Sequence, residues 1–486
     1  MVLRQQTRPQ PLIHRHYMQV DRIITTDNDF RGYDLNPQQY EDLSHIANCR
    51  IKELKDSNNN DLWLFPNQNK RYDDKIEKET FISIVGNKLT TGNILGFVGY
   101  GSTQLTVRSR FTNKAGHDWF MEYMLQKVFA INIFDLAHAK GNDEALNITA
   151  MMFPYFLQKA LRQGVYKEYV RRDYNDSRVR GAIDFNAHIK NNFPFKNCKI
   201  AYHTRERVYD NNITQLVRHT IEVLKANSII WGLLCSNQET VANIRQIVNC
   251  TASYKKSDLS KIIHANAKPK IHPYYSEYAP LQKLCLQILK RKQTSYGDSN
   301  QNIYGVLFDG AWLWEEYLNL TLKKIGFKHP ENKTKIDPIH PFKGKKRYPR
   351  FPDFMTPNVI ADAKYKRVIT LNKSQTQACD SIDRDDLHQM IAYMHITSSN
   401  KGIFICPTDI DNIDPTSEDI YPDTSFAIKT QDLIAYSVGE LDGLGGRIYV
   451  IGINIPRSAS SYKEFADEMK KIEGTLEQSM LHISST

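Results

Sequence analysis

The sequence is poor in cysteine and lacks any long apolar run. Seven cysteines (Cys49, Cys198, Cys235, Cys250, Cys285, Cys379 and Cys406) are scattered over 486 residues, and none forms a Cys-x-x-Cys. That argues against a zinc module or a disulfide framework and predicts reduced, mostly buried thiols. No stretch of eighteen apolar residues exists, so no membrane-spanning helix is expected. The first twenty residues carry Arg4, Arg8, His14, Arg15 and His16 and lack the apolar centre of a signal peptide, so a cytoplasmic protein with no membrane contact is expected. A Gly-x-x-x-x-Gly-Lys-[Ser/Thr] loop is also missing. Gly96-x-x-Gly99-x-Gly101 lies in a hairpin pattern rather than before a helix, which makes it a poor phosphate cradle. Any nucleotide-driven motor must therefore be another chain.

What is present is a basic, mixed chain. Lys and Arg number 64 against 54 Asp and Glu, a formal charge of +10, which suits a polyanionic partner. The length predicts two or three domains. Residues 1–115 read as a β-rich N-terminal domain of short strands broken by polar loops. In it Ile94–Tyr100 and Leu105–Arg108 flank Gly101-Ser102-Thr103, a hairpin signal. The polar segment Asp56 to Lys78 reads as a solvated loop, with a partner-contacting protrusion as the alternative. Residues 116–292 switch to helical spacing and predict a helix-rich scaffold. Its expected helices run from Trp119 through Leu136, from Met151 to Leu161 (bent or broken at Pro154), from Ile213 to Leu224 and from Leu281 to Leu289. Val179–Phe185 reads as a short strand or turn. The polar stretch Gln293–Asn300 reads as a linker. After it come a helix (about 303–325), strands (about 348–366), a helix (about 384–397), the strand Gly402–Cys406, a late strand Arg447–Ile453 and a charged helix. The fold class is thus α+β or α/β and multidomain, with an α/β/α sandwich over 293–486.

The chemistry concentrates around Pro352-Asp353 and Asp362-Ala363-Lys364. Alternate side chains of a strand share a face, so Asp362, Lys364 and Lys366 point one way and Ala361, Ala363 and Tyr365 the other. A tight antiparallel return brings Asp353 beside Asp362. Two such carboxylates can hold Mg²⁺, with Lys364 orienting a nucleophile or stabilising the pentavalent transition state. An Asp-x-Lys alone is commonly an exposed, charged strand face. Here the Pro-Asp precedes it, the strand is apolar up to its acid, and the helix Trp312-Leu313-Trp314-Glu315-Glu316-Tyr317 supplies two acids, either of which can complete a metal site. In Asp386-Leu387-His388-Gln389-Met390-Ile391-Ala392-Tyr393, Gln389 and Tyr393 share a helix face and can present an amide and a phenol to the site. His388 reads as structural, since a metal generates its own hydroxide. The run Lys343-Gly344-Lys345-Lys346-Arg347-Tyr348-Pro349-Arg350 leads into Asp353. With Lys366 it makes a candidate DNA-contacting set (Lys343, Lys345, Lys346, Arg347, Arg350, Lys366), against the plainer reading of a solvated face.

Asp353, Asp362 and Lys364 resemble the PD-(D/E)XK nuclease signature, and Gln389-x-x-x-Tyr393 narrows it. With Leu313-Trp314-Glu315-x-Tyr317, Arg108-Ser109-Arg110-Phe111, Tyr123-Met124-Leu125-x-Lys127-Val128 and, more loosely, Arg180-Gly181-x-Ile183-Asp184 and Asp210-x-Asn212, the pattern resembles the McrC family of McrBC-type restriction systems. The resemblance spans from about residue 94 to the C-terminal strand. The resemblance implies a PD-(D/E)XK domain over 293–486 and Mg²⁺ (or Mn²⁺) at Asp353 and Asp362. It implies Lys364 beside the attacking water, Glu315 as the accessory acid, and Gln389 and Tyr393 in support. It also implies a McrB-like AAA+ hexamer that binds and hydrolyses GTP, onto which the chain docks (residues 1–115 being the expected docking domain) and whose GTPase it stimulates while cutting double-stranded DNA. Two other readings compete: a non-enzymatic adaptor of the AAA+ ring, and a stand-alone repair nuclease.

Overall fold

The computed structural model describes residues 21–56, 61–65, 80–113, 115–129, 150, 152–195, 197–235, 237–268, 272–294, 303–330, 337–366, 368–371, 378–380, 382–408, 427–443 and 445–485. The first twenty residues, most of the polar stretch after Asp56, the apolar run beyond Phe129, Met151 and residues 295–300 of the expected linker lie outside them.

The N-terminal part holds β1 (Asp21–Thr26), β2 (Tyr33–Asp34), α1 (Pro37–Ser44), α2 (Ile51–Asp56), β3 (Asp61–Phe65), β4 (Ile82–Val85), β5 (Lys88–Thr91), β6 (Ile94–Tyr100) and β7 (Thr103–Arg108). The two helices correct the expectation of strands alone. Their signal was legible at α1: Asn36 caps it in a reciprocal box with Gln39, and Pro37 opens the first turn. The expected β6–β7 hairpin forms, with Gly101 turning it at φ +56°. Asp42 of α1 secures the turn by accepting from the Ser102 N–H at 3.1 Å and the Thr103 hydroxyl at 2.7 Å.

The middle part contains α3 (Trp119–Phe129), α4 (Phe153–Arg162), β8 (Glu168–Asp176), β9 (Ala182–Ile183), α5 (Phe185–Asn192), β10 (Ile200–Val208), α6 (Asn212–Lys225), α7 (Ser228–Cys235), α8 (Gln238–Cys250), α9 (Leu259–Ala265) and α10 (Tyr278–Thr294). Pro154 neither bends nor breaks α4; it sits in the first turn, where a missing N–H costs nothing. The helices other than α5 share one large core. β8, β10 and β9 form a separate, mostly exposed antiparallel sheet with α5 against β10; only β9 falls where a short strand was expected, within Val179–Phe185.

Next come β11 (Tyr304–Asp309) and α11 (Gly310–Leu322). A helix was expected from 303. Instead Tyr304–Asp309 is a strand of the N-terminal sheet, whose order is β1-β7-β6-β11-β3. The cause is its continuous apolar run, buried between two strands, which periodicity cannot distinguish from a buried helix. Gly96, at φ +118°, is required where β6 crosses β11, because a Cβ there would lie 2.1 Å from the Val306 carbonyl oxygen.

The rest is β12 (Phe354–Met355), β13 (Val359–Ala363), β14 (Ile369–Leu371), β15 (Ala378–Asp380), α12 (Arg384–Thr397), β16 (Lys401–Thr408), β17 (Ala427–Lys429), β18 (Leu433–Leu441), β19 (Gly446–Asn454) and α13 (Tyr462–Ser485). Six of these strands form a mixed sheet ordered β12-β13-β16-β19-β18-β17, parallel across β13-β16-β19. Alternation divides its side chains between two cores. Val359, Ala361, Ile403, Ile405 and Ile451 pack with Leu313, Trp314 and Tyr317 of α11 and with Phe465 and Met469 of α13. Ile360, Phe404, Cys406 and Val450 pack with Met390, Tyr393 and Met394 of α12. Helices thus cover both faces, and each large buried side chain contributes about 2 kcal/mol. The chain is a mixed α and β protein with several sheets.

Among the described residues no helix is long and apolar enough to cross a membrane. Of the thiols described, only Cys285 and Cys406 are buried; Cys198 and Cys235 are exposed, against the expectation of mostly buried thiols.

Candidate active site

Strand β13 carries the acid at its buried end. Asp362 follows the Ile360 face, and its side chain is only 5% exposed. Antiparallel β12 sets Phe354 opposite Ala361 and Met355 opposite Ile360, which brings Asp353 level with Asp362. One Asp353 oxygen accepts from the Ala363 N–H at 2.7 Å. The structure therefore brings these two carboxylates together, as the alternation and the short return required.

Their electrostatics are those of acids short of positive charge. Burial pushes the Asp353 carboxyl well above the usual carboxylate range, and repulsion from Glu315 and Asp362 pushes it further. Burial also raises Asp362, against the pull of Lys364. Lys364 Nζ lies 2.5 Å from Asp362 Oδ2 and 3.1 Å from Asp386 Oδ1. Burial lowers the Lys364 pKa, but Asp362, Asp353 and Asp386 together outweigh it and hold the ammonium charged.

The other face of the strand end is anchored to the N-terminal sheet. Tyr365 points away from the acids, and its ring packs beneath the start of α11, where a Cβ on Gly310 would come within 2.8 Å of it. Arg110 donates to the Tyr365 carbonyl at 3.1 Å, stacks over its ring at 5.0 Å and pairs with buried Asp27 at 2.8 Å.

Glu315 reaches the neighbourhood but does not close the site. Its carboxylate lies 3.7 Å from His329 Nε2, and Glu316 lies 4.0 Å from the same nitrogen while accepting from Trp312 Nε1 at 3.1 Å. His329 Nδ1 stands 2.7 Å from the Asp353 carbonyl oxygen; that oxygen can only accept, so Nδ1 carries the proton. Two residues here escaped the sequence reading. His329 is placed by the bridge between Lys328 and Met355, a long-range pairing with no local signal. Asp386 was legible only as the start of the Gln389–Tyr393 helix.

Gln389 and Tyr393 do share a face of α12, and the amide donates to the phenol oxygen at 2.8 Å. Tyr393 is buried, within electrostatic reach of Asp353 and Asp362; burial is the main cause of its raised pKa. His388 is exposed. The basic run forms an exposed loop closed by paired hydrogen bonds between Ile339 and Arg350 at 2.9 Å. Lys343, Lys345, Lys346 and Arg347 are exposed on this loop, and Arg350 is close enough to Tyr393 to act on its charge. Lys366 is half-buried, paired with Asp386 and, at 3.2 Å, with Asp383.

The donor chemistry fits a hard divalent cation. Asp353 and Asp362 offer carboxylate oxygens whose mutual repulsion a cation would relieve. Among the described residues no three carboxylate, imidazole or thiol groups converge at ligand spacing. A pair suffices for Mg²⁺, which retains several waters.

A family model described as McrBC 5-methylcytosine restriction system component matches residues 89–407, a span that includes every candidate site residue. Two solved assemblies from Thermococcus gammatolerans resemble the chain. A refined half-complex from a tetradecameric assembly of McrB AAA+ hexamers with bound McrC is 13% identical, covers 93% of this chain and 100% of that one, and has a TM-score of 0.47. A cryo-EM structure of the McrBC complex is 13% identical, covers 62% and 87% respectively, and has a TM-score of 0.33. Comparison with curated proteins finds no match.

Proposed function

The chain belongs to the McrBC 5-methylcytosine restriction system component family, and on that premise we propose that it is the metal-dependent DNA endonuclease subunit of such a system. The observation that carries the reading is the carboxylate pair of half-buried Asp353, just before β12, and buried Asp362 on β13, held level by the strand pairing with Lys364 2.5 Å from Asp362. In this reading residues 293–486 are a PD-(D/E)XK nuclease domain, 116–292 a scaffold and 1–115 the docking domain for a GTP-hydrolysing AAA+ hexamer. The chain stimulates that hexamer's GTPase and works in the cytoplasm.

Asp353 and Asp362 hold Mg²⁺ or Mn²⁺, which when bound supplies an acidified water and charge neutralisation at the phosphate. Lys364 orients the nucleophile and donates to the phosphoryl oxygen as its charge grows. Glu315, turned toward His329, is the accessory acid. Tyr393, braced by Gln389, walls the site beside the acids. Lys343, Lys345, Lys346, Arg347, Arg350 and Lys366 track the phosphate backbone of double-stranded DNA.

The test is Asp362→Ala, purified with the AAA+ partner and assayed on linear and circular DNA with Mg²⁺ and GTP. Cleavage falls by about a thousandfold or more while partner GTP hydrolysis stays intact. Wild-type cutting by this variant overturns the assignment. A wild-type complex that never cuts yet accelerates GTP hydrolysis makes the chain an adaptor instead, and cutting by the isolated chain without nucleotide makes it a stand-alone nuclease.

A further inference from the structure

We infer that Asp386 is a positioning residue that holds Lys364 and Lys366 at fixed spacing, so that Lys364 keeps its place when Asp362 turns to a cation. The inference rests on the nuclease reading above and adds a residue to it.

Asp386 divides its two oxygens between two lysines. Oδ1 lies 3.1 Å from Lys364 Nζ, and Oδ2 pairs with Lys366 Nζ. Both lysines lie just past the end of β13, two residues apart, and the one carboxylate spans them. The base of this clamp is rigid. Asp386 stands in the first turn of α12, and Met390 and Tyr393, four and seven residues on, plant the same helical stripe in the core that also buries Ile360 of β13.

A second anchor is needed because of what the first one is. The other partner of Lys364 is Asp362 Oδ2, an oxygen that a cation in the site would claim. A lysine stem is flexible and its ammonium a point charge, so without Asp386 the approach of a cation would drive it away. Burial opposes ionisation of Asp386, but the two lysines outweigh it and hold its carboxyl below the usual range, so the anchor stays charged. Asp386 is committed to cations of the chain itself, which separates its role from that of Asp353 and Asp362. Lys366 has a further partner in Asp383 at 3.2 Å and is more exposed, as suits a contact to the DNA backbone.

The test compares wild type, Asp386→Asn and Asp386→Glu in three measurements on the full chain. With saturating Mn²⁺, so that Asp362 is engaged, and without DNA, amine acylation read by mass spectrometry labels Lys364 and Lys366 about fivefold faster in the Asn variant, with Lys343 and Lys345 unchanged and the Glu variant near wild type. Unchanged labelling of Lys364 and Lys366 overturns the clamp, whatever the cleavage result. Calorimetric Mn²⁺ affinity stays within about threefold in the Asn variant; a loss of about tenfold or more makes Asp386 a ligand and overturns the proposal. With the AAA+ partner, GTP and Mg²⁺, the Asn variant loses about thirtyfold or more in kcat at unchanged metal half-saturation, and the Glu variant recovers most of it. A wild-type kcat in the Asn variant overturns the proposal while leaving the nuclease reading standing. Cutting by Asp362→Ala defeats that reading itself, and the labelling measurement still decides the clamp.

Discussion

Helix α11 looks onto acid clusters on two of its faces. On one, Tyr317 and Tyr123 donate to a single oxygen of buried Glu473 at 3.1 and 2.8 Å, and Lys127 reaches the other oxygen at 3.0 Å. Three donors from α3 and α11 meet one acceptor from α13, so the charge is satisfied within the chain. On the other, Glu315 adds repulsion to Asp353, already crowded by Asp362, and Asp353 is relieved by Lys364 and the Ala363 backbone N–H. On the proposed reading, the contrast separates a structural acid from a working one. Satisfied buried charge fastens helices together; buried charge left short of donors is a cost that a fold retains where a ligand will offset it.

Breaking the first cluster has the largest expected effect on stability. Glu473→Ala strands two buried phenols and a lysine and costs about 3 kcal/mol or more, measured by chemical denaturation. A loss under about 1 kcal/mol would erase the difference between the clusters. The second cluster responds in the opposite sense. Asp362→Asn stabilises the metal-free chain by about 1 kcal/mol, because it removes a buried charge, and abolishes the rise in Tm that Mg²⁺ gives the wild type. A destabilised Asn variant would contradict the crowding.

The pH dependence sharpens the same point. Asp353 and Asp362 have folded pKa values raised above the unfolded one, so their contribution is fully present below about pH 4 and is lost as pH rises through the folded values. The metal-free wild type therefore loses stability relative to Asp362→Asn as pH rises above about 4, and Mg²⁺ at neutral pH closes the gap. Asp118, raised by burial to about 6, shifts stability in the same direction in both proteins and cancels from the comparison. The smallest effect is on the exposed loop. Lys345→Ala with Lys346→Ala leaves unfolding stability within about 0.5 kcal/mol. It flattens the salt dependence of DNA binding by about one unit per charge removed; an unchanged slope would take the loop out of the DNA path.

Much of the second cluster was legible because it is built from local rules. Two-residue alternation put Asp362, Lys364 and Lys366 on one face, a nine-residue return put Asp353 beside Asp362, and helical spacing joined Gln389 to Tyr393. The parts that escaped depend on distant chain. No local pattern shows that Tyr304–Asp309 joins the N-terminal sheet, that His329 stands between Glu315 and the Asp353 backbone, or that Asp386 spans two lysines. The first cluster escaped for the same reason, since Tyr123 and Glu473 are 350 residues apart.

The most direct measurement of the central claim is calorimetric titration of the metal-free chain with Mn²⁺, comparing wild type with Asp362→Asn and Glu473→Gln. If the crowded pair is the cation site, wild type and Glu473→Gln bind with matching affinity and Asp362→Asn loses binding by about a hundredfold or more. Equal binding by Asp362→Asn and wild type would contradict it.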